Sequence, residues 1–227
     1  TDGSIASTVR ASAASGFSIV SYTGNGTAGA TIGHSLNAVP ELILLKSRDT
    51  QTANQSWTVH HSAIPATQNL ILNDTAAAGT TGSWNDTAPG SSVFTVGSAQ
   101  VVNTSSKKYI AYCFAPVEGY SAFGSYTGNG SADGPFVYTG FRPRWLMVKS
   151  TGTESWGIWD AARNTFNLVD DFLLAQSSNG EQAGPQSFDF LSNGFKVKSQ
   201  YALQNTSGQE YVYMCFAEHP FKTARAR

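Results

Sequence analysis

Any chemistry this chain performs must come from a short set of side chains: four histidines, two cysteines, fifteen acidic residues and five tryptophans. None of His34, His60, His61 and His219 sits in an HExxH pattern. A histidine metal or catalytic site also needs a second ligand or an orienting acid, so ordinary surface or half-buried histidines are expected. Asp160, Asp170, Asp171, Glu181 and Asp189 supply carboxylates, yet no EF-hand or other ligand spacing organises them. A glycosidase pair needs two acids facing each other about 5 to 9.5 Å apart. Asp170 and Asp171 are adjacent, so on a strand they point to opposite faces. No GxSxG elbow occurs. The expectation is a non-enzyme with no catalytic residues, no metal and no cofactor.

Aromatic residues are the better lead. Trp57 and Trp156 recur at matching places, at the ends of QSW and ESW, whereas Trp84, Trp145 and Trp159 do not recur. A ring stacks on the apolar face of a pyranose while amides, carboxylates and guanidinium groups bond its hydroxyls. WND at Trp84–Asp86 and WDAARN at Trp159–Asn164 have that composition. The candidate ligand-binding residues are therefore Trp84, Asn85, Asp86, Trp159, Asp160, Arg163 and Asn164. The competing reading has these tryptophans filling an interface or packing a long loop.

The elements that would hold such residues are duplicated. YTGNG at Tyr22–Gly26 recurs at Tyr126–Gly130, and PELILLKS from Pro40 is answered by PRWLMVKS from Pro143. QSW ending at Trp57 matches ESW ending at Trp156, and YIAYCFA from Tyr109 matches YVYMCFA from Tyr211. The small length differences between matches fall between apolar runs, where loops tolerate them. Residues 16–119 and 120–227 thus form two copies, preceded by residues 1–15 as a linker or extended lead-in. In copy one, strands are predicted near Phe17–Tyr22, Glu41–Lys46, Trp57–His61, Leu70–Asn73, Val93–Val96 and Lys108–Phe114, each β-branched or aromatic and bounded by turn formers. The fold class expected is all-β: two tandem homologous antiparallel β-sandwich units of jelly-roll type, packed either separately or as one body.

Composition narrows the function classes. The 227 residues are 41% hydrophobic and 13% charged, with 22 glycines and a formal net charge of −1. Such a chain can bury a core and carries no nucleic-acid footprint. No apolar run approaches the roughly 18 residues of a membrane helix. The chain starts at Thr1 rather than Met, which reads as a fragment or processed piece. GNG at Gly24–Gly26 and Gly128–Gly130 lacks the phosphate-loop spacing and reads as a tight hairpin turn. Cys113 and Cys215 occupy equivalent apolar strands and are expected as free buried thiols, since a disulfide needs their Cα atoms within about 7 Å. Asn-x-Ser/Thr triplets at Asn25, Asn54, Asn73, Asn85, Asn103, Asn129 and Asn205 are a by-product of this composition.

GFSIVSYTGNG, HSLNAVPELILLKSR, YIAYCFAPVEGYSAFGSYTGNGSADGPFVYTGF, ARNTFN, DFLSNGFKV and YVYMCFAEHPFKTARAR, taken together, resemble an uncharacterised domain family of large tail, fibre-like and other virion proteins of marine tailed bacteriophages. The resemblance runs from about Gly16 to Arg227. It implies a virion-associated, extracellular, non-enzymatic module, often one part of a longer polypeptide, and it supplies no functional residues. The resulting expectation is a tail-fibre module for host-surface recognition that binds a glycan or other receptor. Its partners would include other virion proteins and its own copies, a trimer by analogy with fibres, with no nucleic acid and no membrane insertion. The alternatives are a structural or decoration repeat without ligand, and a polysaccharide depolymerase.

Overall fold

The computed structural model describes residues 2–49 and 56–219. The sequon at Asn54 and part of the longer loop between Lys46 and Ser56 lie outside them. Two compact units are present, Thr1–Pro116 and Val117–Arg227. Both are all-β and antiparallel, in keeping with the sandwich expectation.

Unit 1 contains β1 (Ser7–Ser12), β2 (Phe17–Thr23), β3 (Ala30–Gly33), β4 (Leu42–Ser47), β5 (Thr58–His61), β6 (Gln68–Ile71), β7 (Gly79–Thr80), β8 (Val93–Val96), the short helix α1 (Gln100–Asn103) and β9 (Lys108–Phe114). Its main sheet runs β1-β2-β9-β4-β5-β6-β7, and β3 pairs with β8 beside it. Unit 2 contains β10 (Ser121–Thr127), β11 (Phe136–Tyr138), β12 (Pro143–Ser150), β13 (Trp156–Asp160), β14 (Val169–Leu174), β15 (Gln182–Leu191), β16 (Gly194–Val197), α2 (Ala202–Asn205) and β17 (Glu210–Ala217). Its single sheet, β10-β17-β12-β13-β14-β15-β16-β11, curls nearly into a barrel. The strand order β2-β9-β4-β5-β6 of unit 1 recurs as β10-β17-β12-β13-β14.

Side-chain alternation explains the layering. FSIVSYT of β2 and KYIAYCF of β9 bury every second residue, the period-2 signature of a strand with one face on a core. Val20, Tyr22, Ile43, Leu45, Trp84, Phe94, Tyr109, Ala111 and Cys113 join the core of unit 1. Leu146, Val148, Trp159, Phe172, Phe188, Phe195, Tyr211 and Cys215 join that of unit 2. Both cysteines are free and buried.

One expectation is made specific and one is corrected. Within the expected linker or extended lead-in of residues 1–15, Ser7–Ser12 is an extended strand that pairs antiparallel with Phe17–Tyr22 of β2, and Ile5 is buried and bridges Ile32. The GNG segments are not hairpin turns, because β3 pairs with β8 rather than with β2. The positive φ falls on Gly26 (74°) and Gly130 (69°) instead of on the asparagines. Gly24 and Gly128 are needed for close approach, since a Cβ there would lie 2.4 and 2.3 Å from the carbonyls of Thr104 and Thr206.

What holds each GNG loop is a buried asparagine. Asn103 Oδ1 accepts the Asn25 N–H at 2.9 Å, and its Nδ2 donates to Thr27 O, Gly97 O and Asn25 Oδ1. Asn205 repeats the pattern with Asn129, Ser131 O and Ser199 O. The sequons at Asn103 and Asn205 are thus structural, each asparagine being fully buried. Beside them Tyr22 stacks on Tyr109 and Tyr126 on Tyr211, both at 5.2 Å. The hydroxyls of Tyr22 and Tyr126 donate to Val102 O and Gln204 O.

Candidate functional site

The candidate residues fall into two groups, and neither tryptophan is presented to a ligand. Trp84 is 2% exposed, packed in the core of unit 1 with its ring edge-on to His60 at 5.5 Å. Asn85 and Asp86 are exposed and form the turn after it, both with φ of 51°. Trp159 is fully buried and donates its indole N–H to Gln186 O at 3.0 Å. A ring must be exposed to stack on a sugar, so the expected stacking faces at Trp84 and Trp159 are corrected to core anchors.

Asp160, Arg163 and Asn164 do come together, as the frame of the loop that joins β13 to β14. Asp160 Oδ1 accepts the N–H groups of Ala162 and Arg163, both at 2.9 Å. Arg163 bridges Asp160 and Glu181, the latter at 2.8 Å. Asn164 Oδ1 accepts the N–H groups of Asp170 and Asp171, and its Nδ2 donates to both carboxylates. Asn167 takes the part of a strand neighbour, donating to Phe190 O at 3.2 Å and accepting the Phe190 N–H at 3.0 Å.

These bonds hold out an apolar tip. Phe166 is 84% exposed and Leu168 47% exposed, on either side of the tethered Asn167. The loop of unit 1 between β5 and β6 is two residues shorter and turns Ile64 into its core instead.

The tip adjoins a cleft. Phe190 O also accepts a bond from the Arg142 guanidinium at 3.1 Å, so Asn167 and Arg142 meet at one carbonyl. Arg142, Phe141, Ser192, Glu218 and His219 line a cleft of 260 Å³. Within it Arg142 Nε pairs with Glu218 at 2.8 Å, and Arg144 approaches the same carboxylate at 3.8 Å. Tyr138, 68% exposed at the end of β11, leans over Gly140, whose N–H bonds to Asn193 next to Ser192. One end of unit 2 therefore gathers an exposed phenyl ring, an exposed phenol, a guanidinium–carboxylate pair and an imidazole. Such a set can offer a ring face to C–H groups and charged hydrogen bonds to hydroxyls. No group of three or more His, Cys, Asp or Glu able to hold a metal is present among the described residues.

A family model covers nearly all of these elements, matching residues 1–220. The chain belongs to the family described as domain of unknown function DUF7483. No curated protein and no solved structure matches it. Membership in DUF7483 brings no ligand or reaction with it.

Of the groups gathered at this end of unit 2, Phe166, Asn167, Tyr138, Arg142 and Glu218 are not among the candidates drawn from the sequence. One signal was available: TFNL follows the polar run DAARN directly, a phenylalanine and a leucine in a turn-forming context where burial is hard to arrange.

Proposed function

We propose that this chain is a non-catalytic recognition module of a tailed-bacteriophage virion that binds glycans on the host surface through the loop end of unit 2. The observation that carries the reading is Phe166, 84% exposed at the tip of a loop braced by Asp160, Asn164 and Asn167. An exposed phenyl ring is unfavourable in water, and a rigid frame lowers the ordering cost of engaging a ligand. The Arg142–Glu218 pair beside it supplies a fixed donor and acceptor of the kind that orients sugar hydroxyls. Weak single sites suffice for an appendage displaying many copies, where avidity can raise affinity about a hundredfold or more. The non-enzymatic reading is supported by the cleft itself, whose one carboxylate among the described residues, Glu218, is engaged by two arginines.

A structural or decoration repeat is the second reading, favoured by the apolar pair Phe166 and Leu168, which suits a protein surface as well as a sugar. Binding of multivalently displayed protein to a broad glycan array and to labelled marine bacteria tests the first against the second. Selective binding, competed by one sugar and reduced at least tenfold by Phe166→Ala, supports recognition. Absence of binding by the displayed protein, with self-association lost in Phe166→Ala, overturns it in favour of the structural reading.

A further inference from the structure

The two units differ in how their sheet edges end. In unit 1 one N-terminal segment serves both edges that flank the sheet seam. Ser7–Ser12 pairs with β2 from Ser7↔Tyr22 to Ser12↔Phe17. Just before it, Ile5 bridges Ile32 in parallel, the Ile5 N–H bonds to Thr31 O at 3.0 Å, and Ser4 and Thr31 exchange two bonds at 2.9 Å. Most side chains of β1 stay exposed, so backbone bonds hold this arm in place together with the buried Ile5, the part-buried Val9 that packs on the core and the Ser7 hydroxyl bonded to Gly33 O.

Unit 2 repeats the seam without the arm. β10 aligns with β2 through the shared residues SYT, and β11 aligns with β3 through their partners FKV and FTV. Yet β10 and β11 are the terminal strands of their sheet: Val117 bridges Ser121 at the start of β10, and beyond that bridge no described strand pairs with the outer side of either. The β10 sequence SAFGSYT carries no charge and no proline, the residues with which edge strands usually defend themselves, and Ser125 and Thr127 are exposed.

We infer that the outer edge of β10 is an acceptor for an extended strand of another polypeptide, which adds to it as β1 adds to β2. The donor chemistry is that of β1, STVRAS: small, hydroxylated and β-branched residues without a run of like charge, bound through main-chain hydrogen bonds. The donor cannot follow the arm further onto β11. Tyr138 stands where unit 1 has Gly33, and there even a Cβ would lie 2.5 Å from Asp2 O. The acceptor is thus the β10 edge alone, which leaves Tyr138 free at the loop end.

The test uses the full chain and a labelled peptide of residues 5–12, IASTVRAS, followed by fluorescence anisotropy. Saturable binding is expected, with loss of at least tenfold when Val9 and Arg10 of the peptide are both replaced by proline. To place the peptide, its Thr8→Cys form, activated as a mixed disulfide, is offered to Ser125→Cys and to Ser21→Cys chains whose melting curves match the parent. By the Thr8↔Ser21 register, the Ser125→Cys chain is expected to be labelled at least tenfold faster. Labelling of Ser21→Cys at an equal or greater rate would mean the peptide merely displaces the arm, and would overturn the inference. So would absence of saturable binding. Dimerisation of the parent chain that Ser125→Pro abolishes, without peptide uptake, would overturn it in favour of self-pairing of β10.

Discussion

Asn205 Oδ1 accepts the backbone N–H of Asn129 at 2.8 Å, and Asn205 Nδ2 donates at 2.7 Å to the carbonyl of Ser131. The carboxamide pins the GNG loop of unit 2 against the segment that leads into β17, and Asn103 does the same for Asn25 and Thr27 in unit 1. Both asparagines are fully buried, so truncation strands several polar groups away from water. Asn103→Ala and Asn205→Ala are each expected to destabilise the protein by about 2 to 4 kcal/mol, read from the shift in denaturant midpoint.

Trp159 and Phe166 are expected to behave in opposite ways. Trp159 packs against Phe172 and Phe188 with no exposure, so Trp159→Ala should cost about 3 to 5 kcal/mol. Phe166 has little to lose on the folded side, and Phe166→Ala should stay within about 0.5 kcal/mol of the parent. Thermal melts of the two variants check both statements. If the tip mutant instead proved as costly as the core mutant, the exposed placement of Phe166 would not hold in solution.

The same pair shows what could be read in advance. The duplication, the strands and the buried cysteines follow from repeated strings and period-2 alternation, which are local properties of the chain. In the segment Trp159–Asn164 the tryptophan expected to face outward is core. Composition marks where polar and aromatic groups concentrate, but the direction each faces is set by pairing: Trp159 lies opposite Phe172 and Leu146 on strands whose inner face is the core. The arm Ser7–Ser12 escaped notice because STVRAS has no apolar alternation, its role being to cover an edge with backbone bonds. Gly79–Thr80, within the small-residue stretch TAAAGTTG, pairs with β6 and is hidden in the sequence for the same reason.

His60 makes stability depend on pH. Burial, with His61 as a smaller like-charge contribution, lowers its pKa to about 4, and its Nδ1 has no hydrogen-bond partner. The unfolded chain takes up this proton near the ordinary histidine value of about 6.5, whereas the folded chain resists it down to about 4. The unfolded state therefore binds more protons in that window, and stability present above about pH 6.5 is lost as pH falls toward 4, by up to about 3 kcal/mol. Denaturant midpoints between pH 7 and 5, above most carboxylate titration, should fall for the parent. In His60→Gln the slope should be smaller.

Burial also pushes the thiols of Cys113 and Cys215 up to about 12. The thiolate is the reactive form, and almost none exists at pH 8. Folded protein is expected to leave both cysteines unmodified by an aromatic disulfide reagent over hours, with both reacting promptly once denaturant is added. Reducing agents should not move the melting temperature, since the cysteines are free.

Asn164 separates presentation of the loop from contact with a ligand. Its side chain closes the neck of the loop by accepting from Asp170 and Asp171 at 3.1 and 2.8 Å, but it lies back from the tip where Phe166 projects. Asn164→Ala should speed amide exchange at Asp170 and Asp171 about tenfold or more, which is local opening and needs no ligand to observe. On any glycan or cell that the parent binds, the same variant should weaken binding about tenfold by letting Phe166 wander. Because the brace acts through the ring it positions, the double variant Asn164→Ala/Phe166→Ala should bind no worse than Phe166→Ala alone. Additive losses in that cycle would mean Asn164 touches the ligand directly, and equal exchange rates would mean the neck is held by other bonds.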